Sequence, residues 1–289
     1  MSTPQNSIFV EGTRAQYVLE YSLADGVDPQ PAAASLAQLA QQAGPAEMVV
    51  AFGPALWSRL NMGPSASDLR DFKPIGEGDH AAPATQRDVL VWIHGAEHDD
   101  CFDRAMAVED ALSEVASAEL DLRGFVYHDS RDLTGFIDGS ANPKDDARLD
   151  AAVDPETGGS VVFTQRWVHD LDKFNTLAVP EQERVIGRTK ADSIELEGDA
   201  MPPDSHVSRT DISGTKIYRR SFPYGSVGEK GLYFLAFGRD MERFEVLLRH
   251  MFGVTDDGIH DRLIEFSKPV TGGYWFAPSA KVLKALAAG

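Results

Sequence analysis

Residues 216–253 open as Lys216-Ile-Tyr-Arg-Arg-Ser-Phe222 and turn through Pro223-Tyr-Gly225. They run on as Leu232-Tyr-Phe-Leu-Ala-Phe237 and close with Met241–Phe252 before Gly253. The two β-rich runs, joined through Pro-Tyr-Gly, read as adjacent strands. Met241, Phe244, Leu247, Leu248 and Met251 recur with the helical period, so Met241–Phe252 is expected to be an amphipathic helix. Gly253 stands where a helix commonly ends in the left-handed region. A strand follows over Gly273–Phe276, and a last helix over Ser279–Ala288. Upstream, Val161–Val168 reads as a strand and Pro180–Arg188 as a helix starting near a proline. The stretch is therefore the second part of a β-α-β-β-α-β unit.

The first half repeats that order. Arg14–Leu23 alternates as a strand, and Pro31–Ala43 is an Ala/Leu helix. Met48–Phe52 is a short strand, and a helical piece at Ala55–Leu60 leads into a Gly/Pro/Asp-rich loop, Gly63–Gln86. Asp88–His94 is a strong strand, Phe102–Val115 a helix with Met106, Val108, Leu112 and Val115 on its apolar face, and Leu122–His128 a strand. Two rounds of this order predict an α+β protein of two ferredoxin-like domains. The acidic, Gly/Pro-containing stretch Asp145–Gly159 carries the boundary, giving units 1–145 and 146–289.

The chain has 289 residues, 43% of them hydrophobic, enough for large cores. With 27 basic against 45 acidic side chains its net charge is −18, and no basic stripe offers a nucleic-acid footprint. A single cysteine, Cys101, excludes an internal disulfide framework and fits a reducing compartment. No secretory signal is visible at the N-terminus and no apolar run approaches a membrane span. A cytoplasmic protein with no membrane and no nucleic-acid partner is expected.

The chemistry concentrates in Asp132-Leu-Thr-Gly-Phe-Ile-Asp-Gly-Ser-Ala-Asn-Pro143. Asp138 lies between the apolar pair Phe136-Ile137 and a tight-turn run of Gly139, Ser140, Asn142 and Pro143. An apolar approach dries a carboxylate and a turn fixes its direction. Asp138 can be a plain turn residue or a poised acid/base. A calcium loop is disfavoured, because Pro143 stands where that loop needs Gly. Of the eight histidines, His94 and His128 fall on strands and His250 within a helix. His80, His98, His169 and His260 sit among acidic or loop residues, where solvated roles are the default. His206 follows Pro202-Pro203-Asp204-Ser205, a stiff, non-helical approach suited to a metal ligand. No Cys-x-x-Cys, His-Glu-x-x-His, Gly-x-Ser-x-Gly or phosphate-binding glycine loop competes.

Five stretches together resemble the bacterial B-type dye-decolourising peroxidases. They are Asp132–Pro143, Val185-Ile-Gly-Arg-Thr-Lys190, Pro203-Asp-Ser-His-Val207, Tyr218-Arg-Arg-Ser-Phe-Pro-Tyr-Gly225 and Asp257–Pro278. The resemblance implies two ferredoxin-like domains of the dimeric α/β-barrel type, with one haem b per chain in the C-terminal domain. It makes His206 the ligand to the haem iron, Asp261 the carboxylate behind that imidazole, and Arg188 a partner of a haem propionate. On the other haem face it places Asp138, Arg219 and Ser221, with Gly139 and Ser140 at the cofactor and Leu235 and Phe237 as an apolar wall. If Lys216–Phe222 is a strand, Arg219 and Ser221 share a face and Arg220 points away.

The resemblance further implies peroxide reduction, with Asp138 moving a proton and Arg219 stabilising the leaving oxygen, followed by one-electron oxidation of small aromatic donors. Trp167, Tyr218, Tyr274 and Trp275 are candidate carriers of electrons from the surface, although aromatics at strand positions are usually core. Porphyrinogen oxidation and haem delivery with incidental peroxidase activity stand as alternatives. A homo-oligomer is implied. No encapsulin shell is expected, since the chain ends soon after Ser279–Ala288.

Overall fold

The strands of the two halves meet edge to edge and close on themselves. In the computed structural model, which describes residues 3–66 and 68–289, the first half supplies β1 (Ala15–Leu23), α1 (Pro29–Gln41), β2 (Ala46–Phe52) and α2 (Pro54–Leu60). It continues through a small hairpin, β3 (Ile75–Glu77) and β4 (His80–Ala82), into β5 (Val89–Gly95), α3 (His98–Leu112) and β6 (Ala116–Phe125). The second half supplies α4 (Asp146–Ala152), β7 (Ser160–His169), α5 (Leu171–Asn175), α6 (Val179–Ile186) and α7 (His206–Thr210). It goes on through β8 (Tyr218–Arg219), β9 (Phe222–Gly225), β10 (Lys230–Gly238), α8 (Glu242–Met251), β11 (Ser267–Pro269), β12 (Gly273–Ala277) and α9 (Ala280–Ala288).

The strand order is β2-β5-β1-β6 in the first half and β9-β10-β7-β12 in the second, the same relative order in each. Gly124 of β6 pairs with Tyr224 of β9, Phe276 of β12 pairs with Phe52 of β2, and β10 pairs along β7. The eight strands therefore form a closed antiparallel barrel, with β8 and β11 pairing onto the ends of β10 and β7. Closure leaves no long unpaired edge to aggregate. Among the described residues no helix is long and apolar enough to cross a membrane.

Alternation along the strands sorts the core into two layers. Val18, Val49, Leu90, Trp92, Val162, Tyr233, Leu235, Phe237 and Trp275, drawn from strands all round the ring, form one cluster and so fill the barrel. The opposite faces pack under the helices, where Leu36 and Ala37 of α1, Val108 and Leu112 of α3 and Leu248 of α8 join Tyr21, Val91 and Phe163.

Several boundaries differ from the sequence reading. The expected helix over Pro180–Arg188 stops at Ile186, because Gly187 turns to a φ of 92°. The strand expected at Leu122 begins at Ala116, and His128 leaves it with a φ of 48°. The expected strand Lys216–Phe222 is interrupted at Arg220–Ser221, yet its register against β10 is the same on both sides. There the Leu235 N–H donates to Ser221 Oγ at 3.3 Å. His206, expected on a non-helical loop, is the first residue of α7. Ser205 Oγ caps that helix by accepting from the Ser208 N–H at 3.2 Å.

Candidate active site

Outside the barrel in the second half lies a cavity of about 220 Å³. Its lining includes Phe163, Gln165 and Trp167 of β7, Leu232 and Phe234 of β10, Leu247, Leu248 and Met251 of α8, His206 of α7, and the segment from Asp132 to Ala141. That segment is pinned at several points. The Gly135 N–H donates to the Asp132 carbonyl at 2.8 Å and the Asp138 N–H to the Ser130 carbonyl at 2.9 Å. Asn142 clamps the far end to β8: its Nδ2 donates to the Arg219 carbonyl at 2.7 Å and its Oδ1 accepts the Arg219 N–H at 2.9 Å. The clamp sets Asp138 and Arg219 on one wall, a task the sequence did not assign to Asn142. Phe136 anchors the segment in a cluster with Phe174, Val185, Ile186 and Phe266, all of the second half.

His206 Nδ1 stands 2.6 Å from Asp261 Oδ2. Asp261 is 0% exposed, and its other oxygen accepts the Leu263 N–H at 2.8 Å, capping the 3₁₀ turn Arg262–Glu265. With a carboxylate accepting from Nδ1–H, the imidazole keeps its Nε2 lone pair for another partner. The carboxylate is itself fixed at both oxygens, so the ring orientation is held from behind.

Arg219 and Ser221 both line the cavity, while Arg220 lies on the other strand face, its guanidinium 4.9 Å from the Trp92 ring centroid. Arg219 Nε is buried without a hydrogen-bond partner. Leu235 and Phe237, expected as an apolar wall of the cavity, lie inside the barrel instead. They are one residue out of phase with Arg219 and Ser221, and strand neighbours face opposite ways. Leu232 and Phe234 form that wall. Gly139 and Ser140 line the cavity mouth, where Ser140 Oγ is 3.1 Å from Ser193 Oγ. Arg188 lines it too, paired with Glu195 and donating to the Ser193 carbonyl at 3.0 Å.

Burial pushes the Asp138 carboxyl above its ordinary range against the pull of the Arg219 charge, and Asp132 adds to the rise. Asp138 Oδ1 accepts the Gly139 N–H at 2.7 Å. A carboxyl held up by dryness and down by a guanidinium can both take and return a proton.

A second polar chain in the cavity was not foreseen. His169, read from sequence as solvated, has a side chain only 5% exposed. Its Nε2 lies 3.0 Å from Asp132 Oδ1 and its Nδ1 2.6 Å from Ser267 Oγ. Burial raises the Asp132 carboxyl, but His169 and Thr134 outweigh it and the net displacement is downward. The three residues come from the turn segment, the end of β7 and the start of β11, so no local pattern announces them. The four aromatics expected to bring electrons from the surface are all buried. Trp167 lines the cavity, Tyr218 and Trp275 fill the barrel, and Tyr274 packs against Phe72 and Phe163.

Comparison with known proteins agrees across the whole chain. Residues 12–126 match the family description "Dyp-type peroxidase, N-terminal" and residues 129–282 match "Dyp-type peroxidase, C-terminal". A dye-decolorizing peroxidase of Mycobacterium tuberculosis is 38% identical over 248 residues, 82% of this chain and 74% of that protein. One from Rhodococcus erythropolis is also 38% identical, over 83% of this chain and 74% of that protein. Among solved structures, a dye-decolorizing protein from V. cholerae superposes with a TM-score of 0.90 at 38% identity, covering 98% of this chain and 99% of that one. A variant of DypB from Rhodococcus jostii RHA1, solved in complex with heme, gives a TM-score of 0.90 at 34% identity, with 98% of each chain covered. The paired polar walls around one cavity thus sit in a chain that belongs to the Dyp-type peroxidases, a family of peroxidase enzymes.

Proposed function

We propose that this chain binds one haem b in the second-half cavity, reduces hydrogen peroxide there, and oxidises small aromatic donors in one-electron steps. One observation carries the reading. A histidine with a carboxylate fixed behind it and a carboxylate–arginine pair line the same cavity. The residues present suit the cofactor. His206 Nε2 is a neutral nitrogen donor of the kind haem iron takes, Arg219 Nε is a buried donor with no protein partner, and the sheet face and α8 supply apolar walls. Arg188 and Ser140, at the mouth, are the groups for the carboxylate edge of the cofactor.

Haem supplies an iron that takes up peroxide and stores oxidising equivalents. Asp138 takes the proton from the inner oxygen of the peroxide and returns it to the outer one, which leaves as water. Arg219 cannot serve as a base; its fixed charge stabilises the negative charge that grows on the leaving oxygen. Ser221 adds a hydroxyl beside it. Asp261 holds the His206 ring and adds electron density to it.

We further read the repeated strand order as two ferredoxin-like units, residues 1–145 and 146–289, with 132–143 reaching from the first into the cavity of the second. An Asp138→Ala, Arg219→Ala double variant tests the chemistry. Peroxide turnover by the haem-loaded protein should collapse while the haem absorbance persists, and undiminished turnover would overturn the mechanism.

A further inference from the structure

The barrel interior holds a polar pair that the cavity chemistry does not use. Glu20 of β1 is 3% exposed and accepts a hydrogen bond from Tyr233 Oη at 2.6 Å. Among the described residues no Lys, Arg or His comes within 4.0 Å of its carboxylate. Burial raises the carboxyl to about 7, against lowering by the Tyr233 hydrogen bond, the more distant charges of Arg87 and Arg166, and the Thr164 hydroxyl. A buried carboxylate with no cation beside it is costly, and a glutamine would fill the same space without that cost. Tyr233 is itself 0% exposed and stacks on Phe222 at 5.5 Å.

The placement of this pair is specific. Leu232 and Phe234, on either side of Tyr233 in β10, both line the active cavity. The Tyr233 ring therefore stands on the barrel side of β10, which with β7 separates the barrel interior from that cavity. Only the thickness of the sheet lies between the ring and the cavity wall, because strand neighbours face opposite ways. The other buried tyrosines near the site lack such a base. Tyr224 Oη donates to the Trp167 backbone carbonyl, Tyr274 Oη has no partner, and Tyr218 bonds to Glu11, whose side chain is mostly exposed. A phenol in a low-dielectric interior loses an electron readily only if its proton has somewhere to go. Among the described tyrosines of β8, β9, β10 and β12, Tyr233 alone has a buried carboxylate as its acceptor, while Tyr21, which donates to the half-buried Glu109 at 2.7 Å, lies under the first-half helices.

We propose that Tyr233, with Glu20 as its proton acceptor, is an internal one-electron donor to the active site. The inference rests on the haem peroxidase reading. In the step, one electron leaves the Tyr233 ring and reduces the peroxide-oxidised cofactor by one equivalent. The phenolic O–H bond breaks, the proton forms a new O–H bond on the Glu20 carboxylate, and a neutral phenoxyl radical remains. An electron from an external aromatic donor restores the phenol, with Glu20 returning the proton. The pair parks an oxidising equivalent inside the barrel while no donor is bound.

The test is electron paramagnetic resonance on holoenzyme frozen after one equivalent of peroxide with no donor added. Wild type carrying ring-deuterated tyrosine should show a tyrosyl signal that narrows on deuteration. Tyr233→Phe should lose it, and so should Glu20→Gln, which keeps the phenol but not the base. The first loss of peroxide should be unchanged in both variants. A tyrosyl signal that survives in Tyr233→Phe, or an undiminished yield in Glu20→Gln, overturns the proposal while leaving the peroxidase reading intact. If peroxide fails to change the wild-type haem spectrum at all, the peroxidase reading fails and this inference falls with it. The resting protein offers an independent check, since a protonated-carboxyl infrared band at pH 5 should vanish in Glu20→Gln. Persistence of that whole band would remove Glu20 as the acceptor.

Discussion

The two halves of the barrel share a strand order but treat the space outside their sheets in opposite ways. Over the first half, α1 and α3 press small and branched side chains directly onto the strands: Ala33, Leu36 and Ala37 from one, Ala105, Val108 and Leu112 from the other, all buried. Alanine lets a helix approach closely, and nothing remains to be filled. Over the second half, α8 meets the sheet with Phe244 and Leu248, but Leu247 and Met251 are only half-buried because they front the cavity. The connections differ as well. In the first half four residues, 42–45, join α1 to β2, whereas residues 187–217 separate α6 from β8 and carry Arg188 and His206. Topology alone thus makes no site. A long insertion after the first helix, and one turn segment clamped by Asn142, convert an ordinary sheet–helix layer into a chemical cavity.

That contrast predicts where function can be broken. Replacing His206 by Ala should abolish the haem Soret band on reconstitution while the protein, whose closed barrel does not depend on α7, still folds. Haem ligation that survives would remove His206 as the ligand. The next largest effect belongs to Asp138. Asp138→Asn keeps the shape and removes the base, so the reaction with peroxide should slow by about 10²–10⁴-fold, the usual worth of general acid–base catalysis. Asp138 must be ionised to take the proton, and its carboxyl is displaced upward. In wild type the rate should therefore rise with pH through a point above the ordinary aspartate range. A stopped-flow pH series should find that limb missing in the Asn variant, and an identical limb in both would assign it to another group.

How much of this could be read from the sequence depends on which physical constraint was local. The order of elements was legible because period 2 and period 3.6 differ plainly in runs such as Val89–Gly95 and Glu242–Met251. The choice of Arg219 over Arg220 was legible for the same reason, and the register against β10 keeps it. Leu235 and Phe237 were misplaced because both faces of a barrel strand are buried. Only the resemblance put them on the cavity wall, and apolar residues on both faces of β10 gave no local signal to correct it. The early start of β6 was in the letters, since Ala116, Ala118, Leu120 and Leu122 alternate with Ser117, Glu119, Asp121 and Arg123, but small alanines and a mostly exposed run made the stripe faint. The helical start at His206 rests on a single Ser205 cap in a five-residue helix, too short for a period to show. The chain Asp132–His169–Ser267 joins positions 37 and 98 residues apart, so only folding brings it together.

The smallest predicted effect separates the two halves most directly, because it applies one substitution to both. Leu36 of α1 is 0% exposed and sits in the close-packed core under the helices, where α9 also packs on α1. Leu36→Ala leaves a void that neighbours cannot close, and should cost roughly 3 kcal/mol of unfolding free energy. Leu247 of α8 already borders open space, so Leu247→Ala only widens it. It loses a few half-buried methyl contacts and should cost roughly 1 kcal/mol or less. Urea unfolding of both variants in the haem-free protein measures the difference without the cofactor's own contribution. If Leu247→Ala proved as costly as Leu36→Ala, the second-half layer would be as tightly packed as the first, and the cavity would not be the standing feature on which the site depends. If the two costs separate as expected, adding haem should enlarge the Leu247 deficit and leave that of Leu36 unchanged, since only Leu247 faces the space the cofactor would fill.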